Sequence, residues 1–469
     1  MIFDRLEQFQ NKIALVNDEG DSLNFYDLAG KADKMAENLE SRRLIFILCS
    51  NHLSAIIGYV GVLRKRAVPL LLRADIQDDL LENLLNIYKP RYIWANKNRS
   101  FKNFNLIYTD DKFRLWQTDF QENFPLHENL AVLLSTSGSV GSPKLVRQSY
   151  ENIQANTESI IKYLQLDSSD RAITTMPMYY TYGLSIIQTQ LHCGGSLAVT
   201  DATIFQRKFW DFVKSQKVTN FGGVPYFYEM LKRLRFANMN LPSLRFITQA
   251  GGKLASELTA EFVDICAKKN IKFITMYGAC EATARMSYLP YQYAKDKVGS
   301  IGIAIPNGKF SILTEDGEET TAPNVTGELI YYGKNVSLGY AERGEDLIKG
   351  DENHDKLNTG DIAYCDEDGY FYIVGRKKRF LKIFGNRVSL DAVESFLKAQ
   401  GYFECACSGV DDKLKVYIAT PADAGKLKDL LSQFTHLHAS AFSVVNVKEI
   451  PRNESGKILY AKLEEYKKV

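Results

Sequence analysis

Leu44-Ile45-Phe46-Ile47-Leu48-Cys49 is an unbroken apolar run, and the reading of what flanks it decides the fold. A short run of β-branched, aromatic and leucine side chains without polar alternation reads as a strand buried on both faces. Leu53–Arg64 follows as a buried helix, closed by the basic triplet Arg64-Lys65-Arg66. Ala67-Val68-Pro69-Leu70-Leu71-Leu72 reads as a second strand, although a proline cannot donate to a sheet ladder. Asp78–Tyr88 is then a second helix and Tyr92-Ile93-Trp94-Ala95 a third strand. The order β-α-β-α-β makes the strands parallel and places helices on the faces of their sheet.

The same grammar predicts a second series from Ala131. Its strands are Ala131-Val132-Leu133-Leu134, Ala172-Ile173-Thr174-Thr175, Ser196-Leu197-Ala198-Val199 and Leu244-Arg245-Phe246-Ile247. After about Lys297 the texture changes to short strands with glycine turns, such as Gly327–Tyr332, which predicts a small β-barrel-like subdomain. The charge-dense Gly375-Arg376-Lys377-Lys378-Arg379 reads as a hinge, and the chain beyond it as a small α+β domain. The expected fold class is therefore α/β: a large N-terminal domain of two doubly wound sheets plus the β-barrel-like part, over residues 1–377, and a small C-terminal domain over residues 378–469.

Composition narrows the function. The chain has 469 residues, 58 Lys+Arg against 56 Asp+Glu, and a net charge of +2. That balance argues against a general nucleic-acid binder, which needs a basic excess. The seven cysteines are scattered; Cys405 and Cys407 form a C-x-C pair with no second pair at zinc spacing. No disulfide framework emerges, so the expected compartment is reducing and cytoplasmic. Residues 1–10 lack the apolar core of a signal peptide, and residues 53–63 are too short to cross a bilayer, so no membrane association is expected.

Four motifs suggest chemistry. Ser135-Thr136-Ser137-Gly138-Ser139-Val140-Gly141-Ser142-Pro143-Lys144 follows a predicted strand. Its glycines let backbone N–H groups approach phosphate oxygens, its hydroxyls add donors and Lys144 adds charge, although it is not a Walker A loop. Tyr277-Gly278-Ala279-Cys280-Glu281-Ala282-Thr283 follows the strand Phe273-Ile274-Thr275-Met276 and offers an aromatic face for a purine and a carboxylate for Mg²⁺. Asn358-Thr359-Gly360-Asp361, with Gly375-Arg376 downstream, puts a carboxylate on a tight turn suited to two ribose hydroxyls. Pro451-Arg452-Asn453-Glu454-Ser455-Gly456-Lys457 places a lysine after a glycine near the C-terminus, where it could neutralise charge developing on a phosphate. Each motif alone also fits an ordinary loop, turn or tail.

In this order and spacing the four motifs resemble the core motifs of the adenylate-forming superfamily: acyl-CoA synthetases, non-ribosomal peptide adenylation domains and firefly luciferase. The resemblance runs from Leu23-Asn24-Phe25-Tyr26-Asp27-Leu28 to Lys457, through Ala250-Gly251-Gly252-Lys253-Leu254, Gly299-Ser300-Ile301-Gly302 and Gly333-Lys334-Asn335-Val336-Ser337-Leu338-Gly339-Tyr340. It implies an enzyme that uses ATP and Mg²⁺ to turn a carboxylic acid into its acyl-adenylate and then passes the acyl group to a thiol. By the same resemblance, Thr136, Ser137, Gly138, Ser139, Gly141 and Lys144 surround the β- and γ-phosphates. Tyr277 and Gly278 lie against the adenine, with Gly251 and Gly252 also on the nucleotide side, and Glu281 holds Mg²⁺. Asp361 binds the ribose, assisted by Arg376, and Lys457 bridges the substrate carboxylate and the α-phosphate. The small domain of the family rotates between half-reactions, and Lys378 stands at its hinge position.

Two departures from the family pattern stand out. Cys280 replaces the usual Thr before the metal-binding Glu. Tyr180 stands where many members have His, within Pro177-Met178-Tyr179-Tyr180-Thr181-Tyr182-Gly183. Thr181 lies where amino-acid-activating relatives place Asp, so a buried ammonium would find no carboxylate. Tyr180, Tyr182, Phe221, Gly222 and Ala250 instead suggest an apolar, partly flat pocket for an aryl or aliphatic acid. The acceptor is either coenzyme A or the phosphopantetheine of a separate acyl carrier protein, which end in the same thiol. A catalytically silent nucleotide-binding protein is the rival of another class, and Lys457, Asp361 and Glu281 argue against it.

Overall fold

The computed structural model describes residues 2–135, 144–420, 422–452 and 458–463. These form two compact units: Met1–Lys309 with Tyr332–Leu357, and Phe310–Tyr331 with Asn358–Val469.

The first unit holds two large mixed sheets with helices packed on them. In the eight-stranded sheet the order is Gly339–Ala341, Leu145–Ser149, Leu130–Ser135, Val68–Arg73, Leu44–Cys49, Tyr92–Asn96, Phe113–Gln117, Asn105–Thr109. Its four central strands are parallel, and antiparallel strands flank them. The helix Leu53–Arg64 is as buried as its composition predicts. A Cβ at Gly61 would stand 2.4 Å from the Ala32 carbonyl oxygen, so this glycine is what lets the helix lie against Phe25–Ala36. Phe46, Leu48, Leu70, Leu72, Leu84 and Ile93 belong to the core built on this sheet.

Pro69 sits inside the sheet, opposite Ile45. Val68 donates toward the Leu44–Cys49 side, to Arg43. In a parallel strand the next residue's N–H points the other way. On that side the paired stretch begins only at Leu70, so the missing donor costs no ladder bond.

The nine-stranded sheet runs Ile303–Ala304, Ser287–Tyr288, Lys272–Tyr277, Phe246–Gln249, Asn220–Gly223, Arg171–Ile173, Ser196–Val199, Ile13–Asn17, Ser22–Asn24. The two sheets do not divide where the sequence suggested. Leu130–Ser135 pairs with Val68–Arg73 in the first sheet, while the N-terminal strand Ile13–Asn17 pairs with Ser196–Val199 in the second. A buried apolar strand carries no label for the sheet it joins.

The second unit contains the glycine-punctuated segment. It is a five-stranded sheet ordered Glu319–Thr320, Lys309–Leu313, Gly327–Tyr332, Lys356–Cys365, Phe371–Arg376. Among the described residues its two end strands do not pair, so the expected barrel-like part is an open sheet. The rest of the unit has a two-stranded ribbon and the three-stranded sheet Cys405–Val410, Lys413–Ile418, Phe442–Asn446. Cys405, Cys407, Leu414 and Val416 face one core, and Ala406, Tyr417 and Val445 another. The C-x-C pair is thus two core positions at the period of a strand, and all seven cysteines are free thiols.

Candidate active site

The strand Lys272–Tyr277 ends in the turn that bears Glu281. Cys280–Ala282 form a single 3₁₀ turn, and Thr283 and Ala284 follow at φ of 55° and 123°. Positive φ in a non-glycine residue is costly and persists only where its surroundings over-determine it. Here they do. Asn335 Nδ2 donates to the carbonyls of Ala282 and Arg285, at 2.8 and 3.1 Å. Asn156 Nδ2 donates to Arg285 O, and Gln148 Nε2 to Cys280 O. Thr283 Oγ1 donates to Asn335 O, and Ser337 N–H to Glu281 O.

Gly278 is fixed by the same turn, because a Cβ there would stand 1.7 Å from the Ala284 carbonyl oxygen. Gly278→Ala should therefore destabilise this unit by about 3 kcal/mol, the upper end of ordinary overpacking. A thermal melt beside wild type measures it, and an unchanged midpoint would show that the turn relaxes freely.

Glu281 Oε1 accepts a 2.9 Å hydrogen bond from Tyr340 Oη. Lys144 Nζ stands 4.0 Å from the centroid of the Tyr340 ring and 3.7 Å from Glu342 Oε1. One tyrosine thus carries the lysine on its face and the carboxylate at its hydroxyl. Burial, reinforced by Glu281, holds the Tyr340 phenol far above its ordinary value, so it remains a donor. The backbone beneath is anchored by Arg147. This fully buried residue donates to the carbonyls of Tyr340, Leu338, Lys349 and Gly350 and pairs with Glu352. Tyr340 and Arg147 were not singled out in the sequence as site residues, although Tyr340 ends one of the quoted stretches.

Tyr340→Phe keeps the ring under Lys144 and removes the donor to Glu281. Hydrogen bonds to charged groups contribute about 1.5–3 kcal/mol, so the KM for MgATP should rise roughly tenfold or more. Initial rates against MgATP concentration check it. An unchanged KM would mean that Tyr340 does not order Glu281.

Several of the residues expected to line an acid pocket lie close together. Tyr182 Oη lies 2.9 Å from Thr248 O and 2.7 Å from Thr248 Oγ1. A Cβ on Gly222 would stand 2.5 Å from Tyr182 Oη. Gly251, at φ +82°, would bring a Cβ within 2.7 Å of Tyr180 Oη. Burial raises the phenols of both tyrosines, that of Tyr182 to about 12. Ala250 N–H donates to Gly223 O, and Gln249 Nε2 donates to Gly252 O.

Phe221 does not belong with these residues. It is 1% exposed and its ring packs on Phe227 and Phe236. Side chains alternate across a strand. Gly222 faces Tyr182, whereas Gly223 and Phe221 face Phe227. Phe221 is a core residue on the other side of the sheet. Cys280 is buried, with Sγ 3.8 Å from Ser135 O, the setting of a packed small side chain.

In the second unit, Asp361 faces Arg376 across the antiparallel pair of strands, and Arg376 Nε is 3.2 Å from Asp361 Oδ1. Thr359 Oγ1 accepts from Asp361 N–H and donates to Leu329 O, which fixes the turn at Gly360, φ +71°. Asp361 is buried while the Arg376 side chain is largely exposed. Lys378 is exposed on the short turn Lys377–Arg379, and Arg376 N–H donates to Asp391. Thr136, Ser137, Gly138, Ser139, Gly141 and Lys457 lie outside the described residues.

The Glu281 turn with Lys144 beside it thus belongs to the first unit, and the Asp361–Arg376 pair to the second. The family model for the AMP-binding enzyme matches residues 2–341, and the chain belongs to that family. Among curated relatives, the long-chain-fatty-acid–CoA ligase of Bacillus subtilis (strain 168) is 27% identical over 357 residues, 72% of this chain and 62% of that protein. The 2-succinylbenzoate–CoA ligase of Bacillus licheniformis is 29% identical over 348 residues, 72% of this chain and 70% of that protein. The aligned part thus spans just under two thirds of the first relative. The solved o-succinylbenzoate CoA synthetase of Bacillus subtilis, in complex with its acyl-adenylate intermediate, superposes with a TM-score of 0.81 at 20% identity, covering 100% of this chain and 98% of that one. That likeness is one of fold.

Proposed function

We propose that this chain is an AMP-forming carboxylate–thiol ligase. A carboxylate oxygen of the acid attacks the α-phosphorus of ATP, the bond to pyrophosphate breaks, and an acyl-adenylate forms. A thiol then attacks the acyl carbon and AMP leaves. The observation that carries this reading is the Lys144–Tyr340–Glu281 arrangement at the end of the strand Lys272–Tyr277.

The first step brings two anions together, so positioning and charge neutralisation dominate its barrier. Among the described residues no three His, Cys, Asp or Glu side chains gather as a metal cage. A lone carboxylate suits Mg²⁺, which is commonly held by one or two carboxylates, water and phosphate oxygens. Glu281 would hold that ion, which supplies charge neutralisation on the triphosphate. The segment with Thr136, Ser137, Gly138, Ser139 and Gly141, together with Lys144, binds the β- and γ-phosphates. Tyr277 and Gly278 border the adenine, with Gly251 and Gly252 on the nucleotide side, and Asp361 with Arg376 takes the ribose.

We further infer that residues 378–469 move as a small domain about Lys378. Their own cores, built around Leu397, Cys407, Val416 and Phe442, support this. The acid is aryl or aliphatic rather than an α-amino acid: Thr181 opens the helix Thr181–His192 where a carboxylate would be needed. Coenzyme A is the acceptor we favour, because the two curated relatives named above are coenzyme A ligases. Among the described residues no helix is long and apolar enough to cross a membrane.

Acid-dependent ATP–pyrophosphate exchange over a panel of acids tests the reading. Repeating the best acid with coenzyme A and with holo acyl carrier proteins assigns the acceptor. ATP binding without exchange for any acid would instead make the chain a silent nucleotide binder.

A further inference from the structure

Arg285 follows the Glu281 turn and is only 3% exposed. Nη1 donates to Tyr163 Oη at 3.1 Å and lies 3.1 Å from Met276 Sδ, and Nη2 donates to Ser185 Oγ at 3.1 Å. Its Nε–H is buried and has no acceptor. The guanidinium carbon stands 5.1 Å from the centroid of the Tyr182 ring. All these partners are neutral, and no carboxylate pairs with Arg285 among the described residues. Arg147 and Arg379, by contrast, are neutralised by Glu352 and by Asp391 with Glu394.

A buried cation without a counter-anion is expensive and is retained where something compensates it. The surroundings of Arg285 give the place of that compensation. Tyr182 and Ser185 lie on the first turns of the helix Thr181–His192, which Tyr180 precedes. Tyr182 is bonded to Thr248, two residues before Ala250. Arg285 therefore stands against the tyrosine that the acid pocket is built on.

We propose that Arg285 determines substrate specificity by receiving a second carboxylate at the far end of the acid, so that the substrate class is a dicarboxylic acid activated at one end. The proposal rests on the adenylation reading above. The Nε–H that lacks an acceptor and a neighbouring Nη–H form the planar fork that a carboxylate accepts bidentately. The hydroxyls of Tyr163 and Ser185, which donate to Met276 Sδ and Tyr182 O, accept from the guanidinium and hold it in place. The same charge would repel an ammonium, in keeping with Thr181.

The test is ATP–pyrophosphate exchange by the full chain on acids paired by length and ring content. One member of each pair carries a single carboxylate and the other a second, terminal one: hexanoate with adipate, 4-phenylbutyrate with its ring-carboxylated analogue. In wild type the best dicarboxylate should exceed its partner by about tenfold or more in kcat/KM. In Arg285→Met that ratio should fall by roughly 30-fold or more. Arg285→Lys should restore part of it, since it keeps the charge but not the fork. If Arg285→Met does not fold, the wild-type ratio alone decides. A wild type that exchanges equally well or better with monocarboxylates overturns this inference and leaves adenylation standing. So does an Arg285→Met enzyme with an unchanged ratio. A wild type that exchanges with no acid overturns both.

Discussion

Lys457→Ala should lower acid-dependent ATP–pyrophosphate exchange by roughly 10²- to 10³-fold, the size of effect seen when one donor to a developing oxyanion is lost. Thioester formation from supplied acyl-adenylate should change by no more than about threefold, because a residue acts only on the step whose transition state it contacts. The asymmetry follows from charge. In the first half-reaction a carboxylate meets a polyphosphate, and an ammonium bridging the two offsets repulsion that grows toward the transition state. In the second, a thiol attacks a neutral acyl carbon, no carboxylate approaches the phosphate, and the charge that develops lies on the oxygen of the departing AMP. Lys457→Arg keeps the charge with a bulkier, planar head and should recover only part of the first rate. Equal losses in both half-reactions would remove Lys457 from the chemistry and reassign it to holding its segment in place.

Much of this organisation is legible in the sequence because buried strands and helices declare themselves by composition. Leu44–Cys49, Leu53–Arg64, Asp78–Tyr88 and Ser196–Val199 begin and end where the reading of the sequence places them. What composition cannot say is which sheet a buried strand joins, and Leu130–Ser135 went to the first sheet rather than the second. Phe221 was misplaced for a related reason: the face of a strand is a matter of parity, and the adjacent Gly222 and Gly223 have no side chain from which to read it. Tyr340 escaped notice because its partner Glu281 is 59 residues away. Arg285 escaped because an arginine inside a polar loop looks solvated until the fold closes around it. Pro69 warned against a strand that exists, since the warning holds only where the missing N–H faces a partner.

Asp361→Ala should reduce kcat/KM for ATP by about 100-fold, and the loss should lie in recognition of the sugar. The carboxylate is buried, and the Arg376 guanidinium on the facing strand keeps one oxygen engaged. Such a carboxylate can accept from two ribose hydroxyls at once, and each charge-assisted bond contributes about 1.5–3 kcal/mol. Removing it also leaves Arg376 without this partner, so the single substitution overstates the contribution of the sugar contacts alone. A double comparison separates the two. Wild type should discriminate ATP from 2′-deoxy-ATP or 3′-deoxy-ATP by about tenfold or more, and Asp361→Ala should scarcely discriminate them. If the variant still preferred ATP by the wild-type factor, Asp361 would be a structural partner of Arg376 and the ribose would be held elsewhere. Asp361→Asn refines the answer: the amide preserves the shape of the turn set by Thr359 and Gly360, but it offers one acceptor oxygen and a donor in place of the other. Discrimination should then fall at one of the two hydroxyls and persist at the other, which identifies the hydroxyl that each carboxylate oxygen receives.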